Sequence, residues 1–350
     1  MATMTGAERM FTTLHLKEPD RVPVYEGPNR NIRETVLGPG STAHDAIEHF
    51  DLDGVGMDDR STPVWRGENL DASGLFFKNQ WGTINRVTSE SLPHPVEGAI
   101  KSEKDLDTWQ PPDPDDPRRY QFLKEIVKRY KGQRAIIASF QDPFNVANEV
   151  RGASNHYMDF VRNPELVDRL SGLIRDYYLR YITNCIEIGA DIIHITGDYA
   201  TTKWPMLSRE HFVRHVIPVL KSLVDHARNL GVYATKHTDG NIMPIIDLII
   251  DAGIQGLHPI DPVAGMDLGV VKKQYGDCIC LMGNVNCAYT LTWGTIEEVG
   301  GEVKRCIQQA APGGGYILMS SNSIHSAVKP ENYVEMIRAC REYGQYPISV

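Results

Sequence analysis

The stretch "KHTDGN" (236–241) sets His237 and Asp239 two residues apart, directly after the apolar run "VYAT" (232–235). On an extended segment that spacing turns both side chains to one side. Imidazole plus carboxylate is a ligand set suited to Zn²⁺. Two ligands from one strand end need a third from a neighbouring one, and His325, Asn322 or Cys287 can supply it. The same residues also read as a polar turn in which Asp239 accepts from backbone amides ahead of Gly240. Local spacing does not separate these readings.

Other short apolar runs are followed by polar residues of similar interest. "FQDPFN" yields Gln141, Asp142 and Asn145, with Glu149 one turn beyond, and "TGDYATTKW" yields Asp198, Tyr199 and Trp204. "GNVNC" yields Asn284, Asn286 and Cys287, and "SNSIH" yields Asn322 and His325. Asp198 and Glu149 are candidates to orient a substrate or deliver a proton. Gln141, Asn145 and Asn284 are candidate substrate contacts. Tyr199 and Trp204, with Phe140 and Trp81, are candidates to line an apolar pocket. His194 falls inside an apolar run and is expected to line a barrel or fill its core. Cys278 and Cys280 alternate along a strand as small packing residues. No phosphate-loop lysine accompanies the glycine-containing stretches, and no nucleophile elbow is present.

The elements that must position these residues alternate in kind. Eight short runs read as strands: 22–25, 54–57, 135–139, 191–195, 232–235, 255–259, 278–282 and 316–320. Segments with helical spacing separate the later ones, at 163–189, 208–231, 242–253, 266–276, 295–311 and 329–344. Ser208 and Asn163 are credible N-caps with acid in the first turn. Sustained strand-helix alternation predicts a parallel sheet, and eight strands predict closure into an α/β (β/α)8 TIM barrel, with an open doubly wound sheet as the alternative. In such a barrel, residues at the carboxyl ends of the strands form the active site. Residues 60–133 break the rhythm with an apparent ribbon at 75–89 and a Pro/Asp-rich stretch. They read as an excursion over the barrel mouth, because neither half offers enough apolar surface for its own core. The whole of 1–350 is thus read as a single barrel domain.

Composition narrows the partners. A formal net charge of -9 without a long basic tract argues against nucleic acid. No apolar stretch approaches the ~20 residues that cross a bilayer. Six cysteines without a CxxC pair or a secretory signal fit reduced thiols in a cytoplasm.

Several stretches together resemble a known family. "EPDRVPV" (18–24), "LSREHFVRHVIPVLKSL" (207–223), "KHTDGNI" (236–242), "AGIQGLHPIDPVAGMDL" (252–268), "YGDCICLMGNVN" (275–286), "GTIEEVGGEV" (294–303) and the region 311–336 are similar, in order, to the uroporphyrinogen decarboxylase superfamily. The resemblance implies a (β/α)8 barrel and one of two chemistries, cofactor-free decarboxylation or zinc-dependent methyl transfer that serves corrinoid proteins. The decarboxylases carry an amino-terminal Arg-Gln-Ala-Gly-Arg motif for a tetrapyrrole's carboxylates. This chain reads "VPVYEGPNRNIRE" (22–34) there, with Arg30 and Arg33 off that spacing and Glu26 of the wrong sign. The thiol-methylating relatives bind zinc with His-x-Cys and a later Cys. This chain keeps His237 but has Asp239 at the first cysteine position and Asn322 at the second.

Zinc held by imidazole and carboxylate is a stronger Lewis acid toward oxygen than zinc held by thiolates. The resemblance and the ligand replacement together imply a methyltransferase acting on an O-methylated, aromatic small molecule. Zn²⁺ would be held by His237 and Asp239 with His325 or Asn322, and His237, Asp198 and Glu149 would do the chemistry. No Asp-x-His-x-x-Gly stretch occurs, so the cobalamin is expected on a separate corrinoid protein; a homodimer is allowed. Two alternatives stay open. One is a metal-free decarboxylase of a small or tetrapyrrole acid, with Asp198 or Asp239 stabilising a protonated intermediate. The other is a barrel that binds a ligand without turnover.

Overall fold

The computed structural model describes residues 3–88 and 93–349. After strand β1 (Gly54–Asp58) the chain forms a small antiparallel sheet, β2 (Glu68–Asn69), β3 (Phe76–Lys78), β4 (Ile84–Arg86) and β5 (His94–Glu97). Six further parallel strands follow: β6 (Ala135–Gln141), β7 (Ile192–Thr196), β8 (Tyr233–His237), β9 (Gly256–His258), β10 (Cys280–Val285) and β11 (Tyr316–Ser320). The large sheet has the order β1-β6-β7-β8-β9-β10-β11. The eighth expected strand, 22–25, is too short for a ladder but occupies the closing position. Leu318 N–H donates to Pro23 O at 2.9 Å and Asp53 N–H donates to Val24 O at 3.0 Å, so this segment joins β11 to β1. Pro23 has no N–H to donate, which limits the ladder it can build. The sheet therefore curls into the parallel barrel that the alternation predicted.

Side-chain alternation explains the barrel's interior. Ala135, Ile137, Ile192, Cys280, Met282 and Ile317 form an inner apolar cluster, plugged from below by Met10 and Leu14 of the helix Gly6–Leu14. Further along the same inward rows come Ser139, His194, Thr196 and His237, which face a cavity instead. The intervening residues point outward into a larger cluster that runs from Val22 to Cys340 between strands and helices. Polarity therefore changes along the inward rows of β6 and β7, apolar at the amino end and polar at the carboxyl end.

The helices follow their caps. Asn163 accepts from Leu166 N–H at the start of Pro164–Ile188, and Gly189 (φ +128°) closes it. Ser208 accepts from His211 N–H as expected, but the helix it opens passes through a π stretch, Phe212–Val216, ahead of Pro218. Among the described residues no helix is long and apolar enough to cross a membrane.

The excursion differs from expectation in two respects. The ribbon is part of a four-stranded sheet, and its last expected residue, 89, lies outside the described residues. The helix Gln121–Tyr130 belongs to the barrel, packing against β1 and β6 with Leu123 and Ile126 buried. Trp81 anchors the excursion by stacking near Trp109 and meeting the Tyr177 ring edge-on at 4.8 Å. A buried Arg119–Asp59 ion pair, with Gln80 donating to Asp59, fixes it further. Cys280 is buried as a packing residue, whereas Cys278 precedes the strand and is exposed.

Candidate active site

His237 is the last residue of β8 and points along the inward row. The turn beyond it is not the self-contained polar turn that the sequence allowed. Gly240 N–H donates to Asp261 Oδ2 at 3.0 Å, so Asp239 is not needed there. Gly240 has φ +89°, and a Cβ on it would lie 2.5 Å from Ala200 O. Glycine thus lets the loop after β8 press against the loop after β7. That contact brings Asp198 to Asp239, whose N–H donates to Asp198 Oδ1 at 2.9 Å.

Asp198, His237 and Asp239 present ligand atoms that all lie within 4.8 Å of one another. His237 Nε2 is 3.7 Å from Asp198 Oδ1 and 3.6 Å from Asp239 Oδ1. Asn322 Nδ2 donates to Asp239 Oδ2, while Asp239 Oδ1 is buried with no hydrogen-bond partner. Burial, reinforced by the carboxylates of Asp198 and Asp261, raises the Asp239 carboxyl above its ordinary range. Burial, with His258, His194, Lys236 and Arg60 nearby, holds His237 well below its ordinary value and therefore neutral. A neutral imidazole beside two mutually repelling carboxylates, one with a bare oxygen, is a donor set that a divalent cation fits.

The third member of this group is thus Asp198, which sequence reasoning placed among catalytic acids. His325 is held elsewhere, with Nε2 3.4 Å from Thr292 Oγ1 and Nδ1 accepting from Ala327 N–H. Cys287 is buried against Ser321, and burial raises its thiol to about 11.

The group stands between two chambers. An inner one of about 510 Å³ extends into the barrel past His194, His258, Tyr25 and Phe122. An outer one of about 330 Å³ lies beneath Trp65 and Asn85 of the excursion and is walled by Gln141, Asn145, Glu149, Asp198 and Asp239. Arg60, Thr196, His237, Asn322 and Ser323 border both. Arg60 is the one Arg or Lys among the described residues lining either chamber, and it already grips Asp58 through Nε at 2.9 Å and Nη2 at 3.1 Å. Glu149 accepts from Gln141 Nε2 at 2.6 Å through Oε1, and its buried Oε2 has no partner. Burial raises this carboxyl, favouring the protonated form.

Five expected contacts fall outside both chambers. Tyr199 is fully buried with its hydroxyl donating to Asp142 Oδ2 at 2.6 Å, and Trp204 is 71 % exposed. Phe140 lies between inward-facing Ser139 and Gln141, so alternation turns it outward onto Tyr178. Trp81 is held in the excursion's anchor, and Asn284 donates to Ile260 O at 2.8 Å. The aromatic rings that do line the chambers are Tyr25, Phe122 and Trp65. Beneath the site, fully buried Lys236 donates to Gly197 O at 2.6 Å and His237 O at 2.8 Å, tying the β7 and β8 ends together.

His258 went unremarked in the sequence, although it falls within the expected strand 255–259. In the sheet it and His237 are register partners, with Nδ1 atoms 2.7 Å apart.

Comparison with known proteins agrees with this architecture. The methylcobamide:CoM methyltransferase of Methanosarcina barkeri is 23% identical over 98% of this chain and 99% of its own. The uroporphyrinogen decarboxylase of Alkalilimnicola ehrlichii is 25% identical over 71% of this chain and 68% of its own. A methyltransferase from Methanosarcina mazei superposes with a TM-score of 0.79 over 97% of this chain and 99% of its own, at 19% identity. The uroporphyrinogen decarboxylase (URO-D) family model matches residues 83–343, and the chain belongs to that family.

Proposed function

We propose that this protein moves a methyl group from an O-methylated, uncharged aromatic molecule to the corrinoid of a separate protein. The observation that carries the reading is the Asp198–His237–Asp239 group, with its bare Asp239 oxygen, at the junction of two chambers. These three residues would hold Zn²⁺, whose Lewis acidity toward oxygen would ease cleavage of the O–methyl bond. The relatives named as methylcobamide:CoM methyltransferases support methyl exchange with a corrinoid, and the direction toward the corrinoid is part of the proposal.

The chain's own residues divide the remaining work. The inner chamber offers apolar walls and the rings of Tyr25 and Phe122 to an arene. Glu149, whose carboxyl burial raises and Gln141 orients, supplies a proton to the departing oxygen. The C–O electron pair would stay on that oxygen, which takes the Glu149 proton, and the methyl group would pass to the partner's corrinoid in its reduced form, which would supply the electron pair of the new bond. Asn145, whose Nδ2 donates to Asp198 O at 3.4 Å, steadies the loop that carries Asp198. With Arg60 committed to Asp58, neither chamber offers a spare cation to a carboxylated substrate, which disfavours the decarboxylase reading.

The test is zinc content after purification, together with methyl transfer from a methoxyarene to a corrinoid protein followed by the corrinoid's visible spectrum. Wild type should contain zinc and transfer methyl, and His237→Ala should lose both. Absence of zinc with unaltered turnover in His237→Ala sinks the reading, and carbon dioxide release without any corrinoid favours the decarboxylase.

A further inference from the structure

We infer that His258 is a positioning residue that fixes the tautomer of His237, presenting the bare Nε2 lone pair to the Asp198–Asp239 pair. The chain of reasoning begins at the far end. His258 Nε2 lies 3.0 Å from Ser320 O, which can only accept, so that nitrogen carries the proton. With the one proton of its neutral ring on Nε2, His258 leaves Nδ1 as an acceptor. The Nδ1 of His237, 2.7 Å away, must then donate. A neutral His237 protonated on Nδ1 has no proton on Nε2, the atom that faces the two carboxylates.

Without that acceptor the opposite tautomer wins. An Nε2–H aimed at Asp198 and Asp239 would form charge-assisted hydrogen bonds, satisfy the carboxylates and block the nitrogen as a ligand. His258 therefore selects between a proton and a cation at the centre of the site. The selection is anchored well away from it. Ser320 is pinned by donating its N–H at 2.8 Å and its Oγ–H at 2.5 Å to Glu26 Oε2, and Tyr333 Oη–H donates to Glu26 O at 2.6 Å. Three strand ends and the barrel-closing segment thus hold one imidazole in one protonation pattern. His194 does not share the role, because its Nδ1 is engaged by Thr235 Oγ1 at 2.8 Å. Outer partners of ligating histidines commonly act in this way through a carbonyl or carboxylate; here a second imidazole does so.

Two variants separate position from mere packing. His258→Asn can keep an acceptor oxygen near the Nδ1 position, whereas His258→Leu removes acceptor and donor alike. Long-range ¹H–¹⁵N spectra of metal-free protein should show His237 as the Nδ1–H tautomer in wild type and His258→Asn, and as Nε2–H in His258→Leu. Zinc affinity, measured by competition with a chromophoric chelator, should fall roughly tenfold to a hundredfold in His258→Leu and be largely retained in His258→Asn. Thermal unfolding of each variant verifies that the barrel is intact. The zinc arm rests on the metal reading proposed above, and the tautomer arm does not. Wild type that takes up no zinc but shows Nδ1–H overturns the metal reading and leaves the orienting role supported. An Nε2–H tautomer in wild type, or equal tautomer and affinity in His258→Leu, overturns the role of His258 itself.

Discussion

The two ends of the barrel treat buried charge in opposite ways. At the amino end, fully buried Asp53 is met by Arg9 Nη1 at 2.5 Å, Arg21 Nη1 at 2.8 Å and the Val24 N–H at 2.7 Å. Arg9 is shared further with Asp20 and Met4 O. The partnerless buried atom there, Arg341 Nη1, lies 3.7 Å from Asp53, an opposite charge. At the carboxyl end, Asp239 Oδ1, Glu149 Oε2 and Asn145 Oδ1 are buried without partners, and Asp198 and Asp239 face each other as like charges. One end is a completed clasp that holds helix Gly6–Leu14 and the closing segment onto β1. The other is incomplete in a way that a cation and a substrate would complete.

The largest expected effect tests this contrast directly. Asp53→Asn removes the buried carboxylate shared by Arg9 and Arg21, leaving them only the more exposed Asp20 and Asp51, a loss of about 3–5 kcal/mol. Asp239→Asn in metal-free protein relieves repulsion and should be neutral or stabilising. Chemical denaturation of both variants reads the difference. Equal cost at the two positions would break the comparison between clasp and site.

Only the carboxyl end of this contrast was legible in the sequence, and unevenly; the clasp around Asp53 was not. β-branched runs mark the strands because such side chains pack on pleated surfaces, and the inward rows of β6 and β7 follow from a period of two. That period also sends Phe140 outward once Ser139 and Gln141 face in. The directions of Tyr199 and Trp204 were not legible, since both sit in a loop whose path is set by contacts such as Tyr199 with Asp142 and Gly240 with Ala200. The pairing of Asp198 with Asp239 and of His237 with His258 depends on neighbouring strands and their register, which lies outside any single motif. The family resemblance singled out Asp239 at a position where cysteine was expected, but not its partners in space.

A smaller effect sharpens the chemistry of the open end. An uncharged methoxyarene should be turned over better than the same ring bearing a carboxylate, because Arg60 is bound to Asp58. A buried charge without a partner costs at least ~1–3 kcal/mol, which corresponds to about tenfold to a hundredfold in kcat/KM. Equal kcat/KM for the two donors would mean that Arg60 is available after all.

Glu26 gives a pH-dependent counterpart to Asp53. Burial raises its carboxyl from 4.5 to about 7 despite two hydrogen bonds from Ser320. Between those values the folded protein keeps a proton that the unfolded chain has released, so stability falls as pH rises through the window. The thermal midpoint of Glu26→Gln should therefore decline less than wild type from pH 4.5 to 7, and an unchanged slope would place the titration elsewhere.

The smallest effect is expected at Trp204, and its smallness is informative. The indole is 71 % exposed and borders neither chamber, and its backbone, through N–H and C=O bonded to Thr201, shapes the loop without needing the ring. Trp204→Ala should shift stability by no more than ~0.5 kcal/mol and leave the KM for the methyl donor unchanged. A higher KM would mean that the loop after β7 folds inward over the bound arene. In that event the carboxyl end would gain a wall from this loop when the arene binds.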